Sequence, residues 1–86
     1  MELLFVVEHA MFLDGVGLVL TPGPDRPLPV GTPLFLVRPR GMHLTATVKS
    51  FSGQGTTRAI AVDLNDGEVP PGTRVFGRVT AVGAAN

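Results

Sequence analysis

The side chains that can do chemistry are few in this chain, and they are scattered. His9 and His43 are its two histidines, and each stands alone in an apolar stretch that is typical of a β-strand. General base or nucleophilic catalysis would require a Ser-His-Asp set or nearby carboxylates, and neither histidine belongs to a recognisable arrangement of this kind. We therefore expect no catalytic residue and interpret both histidines as ordinary strand residues.

Two further patterns are compatible with a bound ion but are better explained as turns. Asp63, Asp66 and Glu68 are three acids within six residues, yet they surround an Asn-Asp-Gly turn and lack the spacing of a calcium loop. The pairs Gly15-Val16-Gly17 and Gly53-Gln54-Gly55 offer backbone amides to phosphate, but no helix N-terminus follows either one. The sequence predicts no metal site and no cofactor.

The strongest candidate for a binding site is a group of basic residues in the middle third of the chain, and no acidic residue lies among them in the sequence. The candidate RNA-binding residues are Arg38, Arg40, His43, Lys49 and Arg58. Affinity for nucleic acid grows with the number of phosphates neutralised together, so an RNA site would need them on one face. Phe51 is the one aromatic residue beside them, and a single ring offers little surface on which bases could stack. Spread over three strands, they are also compatible with solvated sheet edges, and both readings stay open.

Length and composition predict one small domain with a small hydrophobic core. The chain has 86 residues, of which 44% are hydrophobic and 16% charged, with a formal net charge of zero. That charged fraction is low for a soluble domain, so some apolar surface should stay exposed and favour a partner or a self-contact. No cysteine is present, no apolar run reaches the length of a membrane span, and no basic residue opens a signal peptide. We expect a cytoplasmic protein with no membrane association.

Glycines and prolines divide the chain into short β-favouring segments. The first predicted strand covers residues 3–8 and runs on to 13, although a helical turn is conceivable over 9–12. Asp14-Gly15 predicts a hairpin turn, and Gly77 a bulge or a close approach of backbone. The remaining predicted strands are 18–21, 34–38, 44–51, 58–64 and 74–82. Six short strands predict an all-β domain, a closed barrel or sandwich, over residues 1–82 with a frayed tail at 83–86.

Four prolines between Pro22 and Pro29 interrupt this pattern. Because proline cannot donate a ladder hydrogen bond, the segment is predicted to be a stiff surface loop. It supplies the candidate protein-binding loop residues Pro22, Pro24, Asp25, Arg26 and Pro27.

Several segments, in order, resemble the second domain of the translational GTPases, the β-barrel that follows the nucleotide-binding domain in elongation factor Tu. VEHAMFLDGVGLVLTPG is similar to that family's opening hairpin, and Val30-Gly31-Thr32-Pro33-Leu34 stands where the family has Val-Gly-Asp-x-Val. Residues 59–64 and 69–75 are similar to its later strands. The resemblance implies a small six-stranded closed Greek-key barrel, here free-standing.

The departures from that family bear on function. No GxxxxGK[ST] loop is present, so nucleotide hydrolysis is not expected. Val16 replaces the arginine of the family's Gly-Arg-Gly, and Ser52 or a neighbour stands where a glutamate contacts the end of tRNA. We therefore predict a non-enzymatic binding module that recognises a protein partner or a second copy of itself. The alternative is an RNA-binding accessory module that uses the basic group.

Overall fold

Seven β-strands and one short 3-10 helix make up the part of the chain that the computed structural model describes, which is residues 1–41, 43–53, 55–65 and 67–78. The helix is Gly55–Thr57. The strands are β1 Glu2–Val6, β2 His9–Leu13, β3 Gly17–Thr21, β4 Pro33–Val37, β5 Leu44–Ser52, β6 Ala59–Val62 and β7 Arg74–Gly77.

All neighbouring strands pair antiparallel, in the order β1-β7-β4-β5-β6-β3-β2. β1 and β2 follow each other in the chain but lie at opposite ends of this order. Between them, the Val7 amide donates to the Thr73 carbonyl at 2.8 Å, and the Glu8 amide donates to the Thr21 carbonyl at 2.8 Å. The chain therefore leaves β7 and joins β3 within two residues.

The all-β prediction is confirmed, but the six-stranded closed barrel is not what the structure shows. There are seven strands, and within the described residues no ladder joins β1 to β2, so hydrogen bonding leaves the sheet open. The run 3–13 is split because its two halves pair with different strands. Its composition is apolar throughout, so nothing in the sequence marks the break. Residues 9–12 are strand and not a helical turn.

Two turns of the same construction lead into β4 and β7. In each, a threonine donates from its amide and its Oγ1 to the carbonyl of a proline three residues earlier: Thr32 to Pro29 and Thr73 to Pro70. The glycine before each threonine has positive φ, 91° at Gly31 and 92° at Gly72. Such values suit glycine because it has no Cβ.

Each of these turns also holds a valine of a neighbouring segment by two backbone hydrogen bonds. Val48 accepts from Gly31 and donates to Thr32, while Val7 accepts from Gly72 and donates to Thr73. The segments 29–35 and 70–76 are thus equivalent, and they bring β4 and β7 side by side with Phe35 opposite Phe76.

The core lies on the inner face of this curved sheet. Leu18, Leu20, Leu34, Leu36 and Ile60 are among its fully buried side chains. Alternation along the strands sends the intervening side chains outward. The register of β1 shifts at Leu4, which lies between two residues paired with successive residues of β7. A Cβ on Gly77 would stand 2.8 Å from the Leu4 Cδ1, so it is a side chain that approaches Gly77 closely, and the register shift lies in β1 and not at Gly77.

The connector between β3 and β4 has no ladder strand, as its prolines predict, but it is only partly a surface loop. Pro24 and Leu28 are buried, and Leu28 belongs to the core cluster. The Gly23 amide donates to the Arg58 carbonyl at 2.9 Å, and the Thr21-Pro22 bond is cis. The connector therefore packs against the sheet and supplies part of the core.

Two predicted strands are longer than those observed. β6 ends at Val62, because Asp63 is engaged by Thr47 through hydrogen bonds that include its side chain. β7 ends at Gly77. The rest of the predicted last strand from residue 79 on, and the tail predicted at 83–86, lie outside the described residues.

Candidate binding surfaces

An apolar surface covers β2 and the hairpin turn that follows it. Met11 is 62% exposed, and Phe12, Leu13 and Val16 are exposed as well. We call these four residues the β2 surface. Alternation places Met11 and Leu13 on one side of the strand and Phe12 on the other. Side chains of this size are usually buried, and several exposed on one strand mark an interaction site more often than single ones do.

The same strand lies at one end of the sheet. β2 pairs with β3 on one side, and no described residue pairs with its other side. A strand in this position offers backbone donors and acceptors to another chain. Two exposed acids flank it, Glu8 before β2 and Asp14 after it. The β2 surface is therefore an apolar strip with a carboxylate at each end.

A shallow cleft of about 290 Å³ opens beside the hairpin turn. Its apolar lining comes from Phe12, Val16 and Leu64, and its polar lining from Lys49, Asp63 and Asn65. Lys49 lies where the register of β5 against β6 shifts, between Val48 and Ser50. Its side chain crosses Gly17, because a Cβ there would be 3.2 Å from the Lys49 Cδ. Gly15 and Gly17 are hairpin glycines, as predicted.

Asp63 is fixed at the edge of this cleft by Thr47. One carboxylate oxygen accepts from the Thr47 amide at 2.8 Å and the other from the Thr47 Oγ1 at 2.8 Å. The amide hydrogen bond is the largest cause that holds the pKa of Asp63 below its ordinary value, and the positive charge of Lys49 acts in the same direction. The carboxylate closes the pairing between β5 and the end of β6.

Two of the three acids that were considered as a cation site are engaged by hydrogen bonds. Glu68 accepts from the Asn65 amide at 2.6 Å, while Asp63 is bound to Thr47. Asp66 lies outside the described residues. Among the residues that are described, no group of three histidines, cysteines or acids is close enough together to hold a metal ion.

The candidate RNA-binding residues are divided among three places. Arg38, Arg40 and His43 lie in the connection between β4 and β5. Lys49 lies at the cleft. Arg58 lies next to β6 at the opposite end of β5, and its side chain donates to the Gly55 carbonyl. The nine residues of β5 span roughly 26 Å at about 3.3 Å per residue, so these cations do not form one compact patch.

The candidate protein-binding loop is partly accessible. Asp25, Arg26 and Pro27 are exposed, whereas Pro22 is half-buried and Pro24 is buried. Asp25 and Arg26 form an exposed ion pair of 3.6 Å. The exposed large apolar side chains are concentrated on β1, β2 and the hairpin turn, and the exceptions are Met1 before β1 and Val30 before β4.

A second surface, which was not among the sequence-based predictions, lies on the outer face of β1, β7, β4 and β5. The register places Leu3 beside Phe76, Phe76 beside Phe35, and Phe35 beside Thr45. The Arg74 guanidinium lies 6.0 Å from the Phe76 ring centroid. The His43 ring meets Phe35 edge-on at 5.6 Å. We call this row the aromatic face.

A sequence signal for the aromatic face does exist. The segment Pro-Val-Gly-Thr-Pro-Leu-Phe at 29–35 is repeated as Pro-Pro-Gly-Thr-Arg-Val-Phe at 70–76. Equivalent turns followed by equivalent strands place the two phenylalanines at matching positions. Their adjacency follows only once β4 and β7 are known to pair.

Compared with protein-family models, curated proteins and solved structures, the chain matches none of them. No helix in the described ranges is long and apolar enough to cross a membrane.

Proposed function

We propose that this protein is a non-enzymatic binding module that recognises another protein through the β2 surface. The observation that carries the proposal is the exposed apolar strand at the end of the sheet, with Met11 and Leu13 facing outward. An edge strand of this kind is suited to strand addition, in which backbone hydrogen bonds give affinity and side-chain contacts give selectivity.

The charges at the two ends of β2 favour a different protein over a second copy of this chain. In a symmetric antiparallel pairing of two β2 strands centred on Met11, Glu8 of each copy would lie opposite Asp14 of the other. Like charges opposite each other destabilise a strand pair. A partner strand with apolar residues in its centre and basic residues at its ends would match the surface in both respects.

The direct test compares two charge-introducing double variants. Met11→Lys with Leu13→Lys places cations on the β2 surface, while Val30→Lys with Ser50→Lys introduces the same two charges at exposed positions outside that surface. We expect the first to abolish retention of a native partner in pull-downs and the second to preserve it. Both should keep the circular dichroism spectrum and urea midpoint of the parent, because the substituted side chains are exposed.

Sedimentation over a concentration series separates the two kinds of partner. The proposal predicts a monomer at all concentrations when the chain is alone. A dimer that dissociates in the Met11→Lys, Leu13→Lys variant would show that the partner is a second copy of this chain and not a different protein. Equal retention by both double variants would contradict the use of the β2 surface.

Three further statements belong to this proposal. A non-enzymatic role is supported by the positions of His9 in β2 and of His43 before β5, two strands that do not pair, and by the hydrogen bonds that engage Asp63 with Thr47 and Glu68 with Asn65. Descent from the translation-factor barrel, with its Greek-key arrangement, is supported by the hairpin at Gly15 to Gly17 and the turn at Gly31. A cytoplasmic location is supported by the lack of cysteine.

A further inference from the structure

We propose that the aromatic face is a second binding site, and that its ligand is single-stranded nucleic acid. The site goes beyond the protein-binding function and uses other residues. It consists of Phe35 and Phe76 in adjacent strands, the Arg74 guanidinium over one ring, and the His43 ring beside the other.

The geometry supplies flat surfaces side by side. Phe35 and Phe76 are opposite each other in the β4–β7 ladder and are half-buried, so each ring is anchored in the sheet and partly open to solvent. Directly opposite residues in an antiparallel pair lie about 5 Å apart. Bases of a single strand stack on aromatic side chains and on guanidinium planes, and such stacking tolerates any sequence.

The charges of the face match an anionic ligand. Arg74 is exposed, and Arg78 follows β7 directly and is exposed too. Glu2 is the one acid within β1, β7, β4 and β5. It pairs with Gly77, which pairs in turn with the buried Leu34, so Glu2 belongs to the row next to that of the two phenylalanines. Asp63, which follows β6, is hydrogen-bonded to Thr47. Within these four strands, no carboxylate therefore shares the row of Phe35 and Phe76.

Apolar side chains extend the face without adding negative charge. Leu3 continues the row beyond Phe76, and Val6 and Val37 flank Arg74 in the next row. Leu3 and Val6 are exposed. An acidic peptide with aromatic residues is the competing ligand for such a face. Nucleic acid is favoured because its bases can stack on the two rings and on a guanidinium plane, while its phosphates can pair with the exposed Arg74 and Arg78.

The experiment is fluorescence anisotropy of the full chain with three labelled dodecamers over a salt series: oligouridylate, oligothymidylate, and an abasic deoxyribose-phosphate strand. We expect oligouridylate or oligothymidylate to bind at low salt and the abasic strand to bind at least about 5-fold more weakly, since stacking contributes about 1–3 kcal/mol per base. The comparison of the first two probes tells RNA from DNA.

Two variants locate the site. Phe76→Leu keeps the apolar volume and removes the ring, and it should weaken binding about 5- to 30-fold. Arg74→Gln should reduce the salt slope by roughly 0.7, the share of one phosphate contact on a single strand. Phe51→Leu, on a residue packed against the core, and Arg26→Gln, in the connector, are the matched controls and should leave affinity unchanged.

Several outcomes would overturn the assignment. These are no binding at low salt, equal affinity for the abasic strand, or variants no weaker than their controls. Binding of an acidic, phenylalanine-containing peptide in place of the oligonucleotides, lost in Phe76→Leu, would assign the face to a peptide. The Met11→Lys, Leu13→Lys variant should still bind the oligonucleotide, so failure at the β2 surface and failure at the aromatic face are distinguishable.

Discussion

Among the residues that line the cleft beside the hairpin turn, Gly17 has the most constrained backbone position. Its φ is +120°, and a Cβ would stand 2.7 Å from the Val62 carbonyl oxygen. That contact is with backbone, which cannot move aside cheaply. The glycine allows β3 to approach β6 while the Lys49 side chain lies across it.

Replacing Gly17 by alanine should therefore cost more than replacing Gly15. Gly17→Ala adds a backbone clash to the strain of positive φ, and we expect a loss of about 2–3 kcal/mol in the free energy of unfolding. Gly15 has φ +80° and open space around its Cβ position, so Gly15→Ala should lose about 1 kcal/mol from strain alone. Urea unfolding of both variants measures the difference, and equal losses would contradict it.

The carboxylate of Asp63 gives the fold a pH-dependent contribution. Its pKa is lowered in the folded state, first by the hydrogen bond from the Thr47 amide, so its contribution to stability is complete above the unfolded pKa. That contribution is lost as pH falls through the folded pKa. Asp63→Asn should destabilise by about 0.5–1 kcal/mol at neutral pH, a small value because the carboxylate is exposed.

Urea titrations at a series of pH values test this expectation. The stabilities of Asp63→Asn and the parent should converge at acidic pH below the folded pKa of Asp63. Asp14→Asn changes the same charge on an exposed acid of the hairpin turn, and it should remain within about 0.5 kcal/mol of the parent. A gap between Asp63→Asn and the parent that persists in acid would mean that the carboxylate is not the cause.

At the scale of elements, the connector between β3 and β4 is a structural segment as well as a loop. Leu28 lies in the core cluster with 9% of its surface exposed, between prolines that fix the backbone on either side. Leu28→Ala should cost about 2–4 kcal/mol, because it removes buried methyl groups and leaves a cavity.

Arg26→Ala is the control for that prediction within the same connector. The Asp25–Arg26 ion pair is exposed on both sides, so its loss should change stability by less than about 0.5 kcal/mol. Thermal unfolding of the two variants is sufficient. Similar midpoints for both would show that the connector does not contribute to the core.

The strands were predictable from local patterns, whereas their partners were not. Alternation over 44–51 and the turn glycines at 15 and 31 place β5 and two turns close to where the structure has them. The apolar run 3–13 gives no sign of its break, because the break depends on hydrogen bonds from Val7 and Glu8 to residues far along the chain.

The same holds for the candidate sites: the types of residue could be found in the sequence, but their grouping depends on which strands pair. Exposed apolar surface could be expected from the low charged fraction, but assigning it to β2 required knowing which strand ends the sheet. The basic group looked continuous in sequence, yet β5 separates Arg58 from Arg40 along its length. Phe35 and Phe76 are 41 residues apart, and only the β4–β7 register brings them together.

At the scale of the whole molecule, two faces of one small sheet differ in chemistry. The β2 surface is apolar and flanked by acids, and the aromatic face carries rings and cations. A zero net charge hides this difference, because the chain as a whole has seven acidic residues and seven lysines and arginines. The two proposals together predict that a partner protein and an oligonucleotide can bind at the same time.

The central claim, that a partner protein contacts the β2 surface, is tested most directly by site-specific photo-cross-linking. A photoreactive phenylalanine analogue is placed at Met11, and in separate proteins at Val30, which is 73% exposed, and at Arg26 in the connector. Irradiation in cells should yield one discrete heterologous adduct from position 11 and none from positions 30 and 26. An adduct from position 30 or 26 with none from position 11 would contradict the claim.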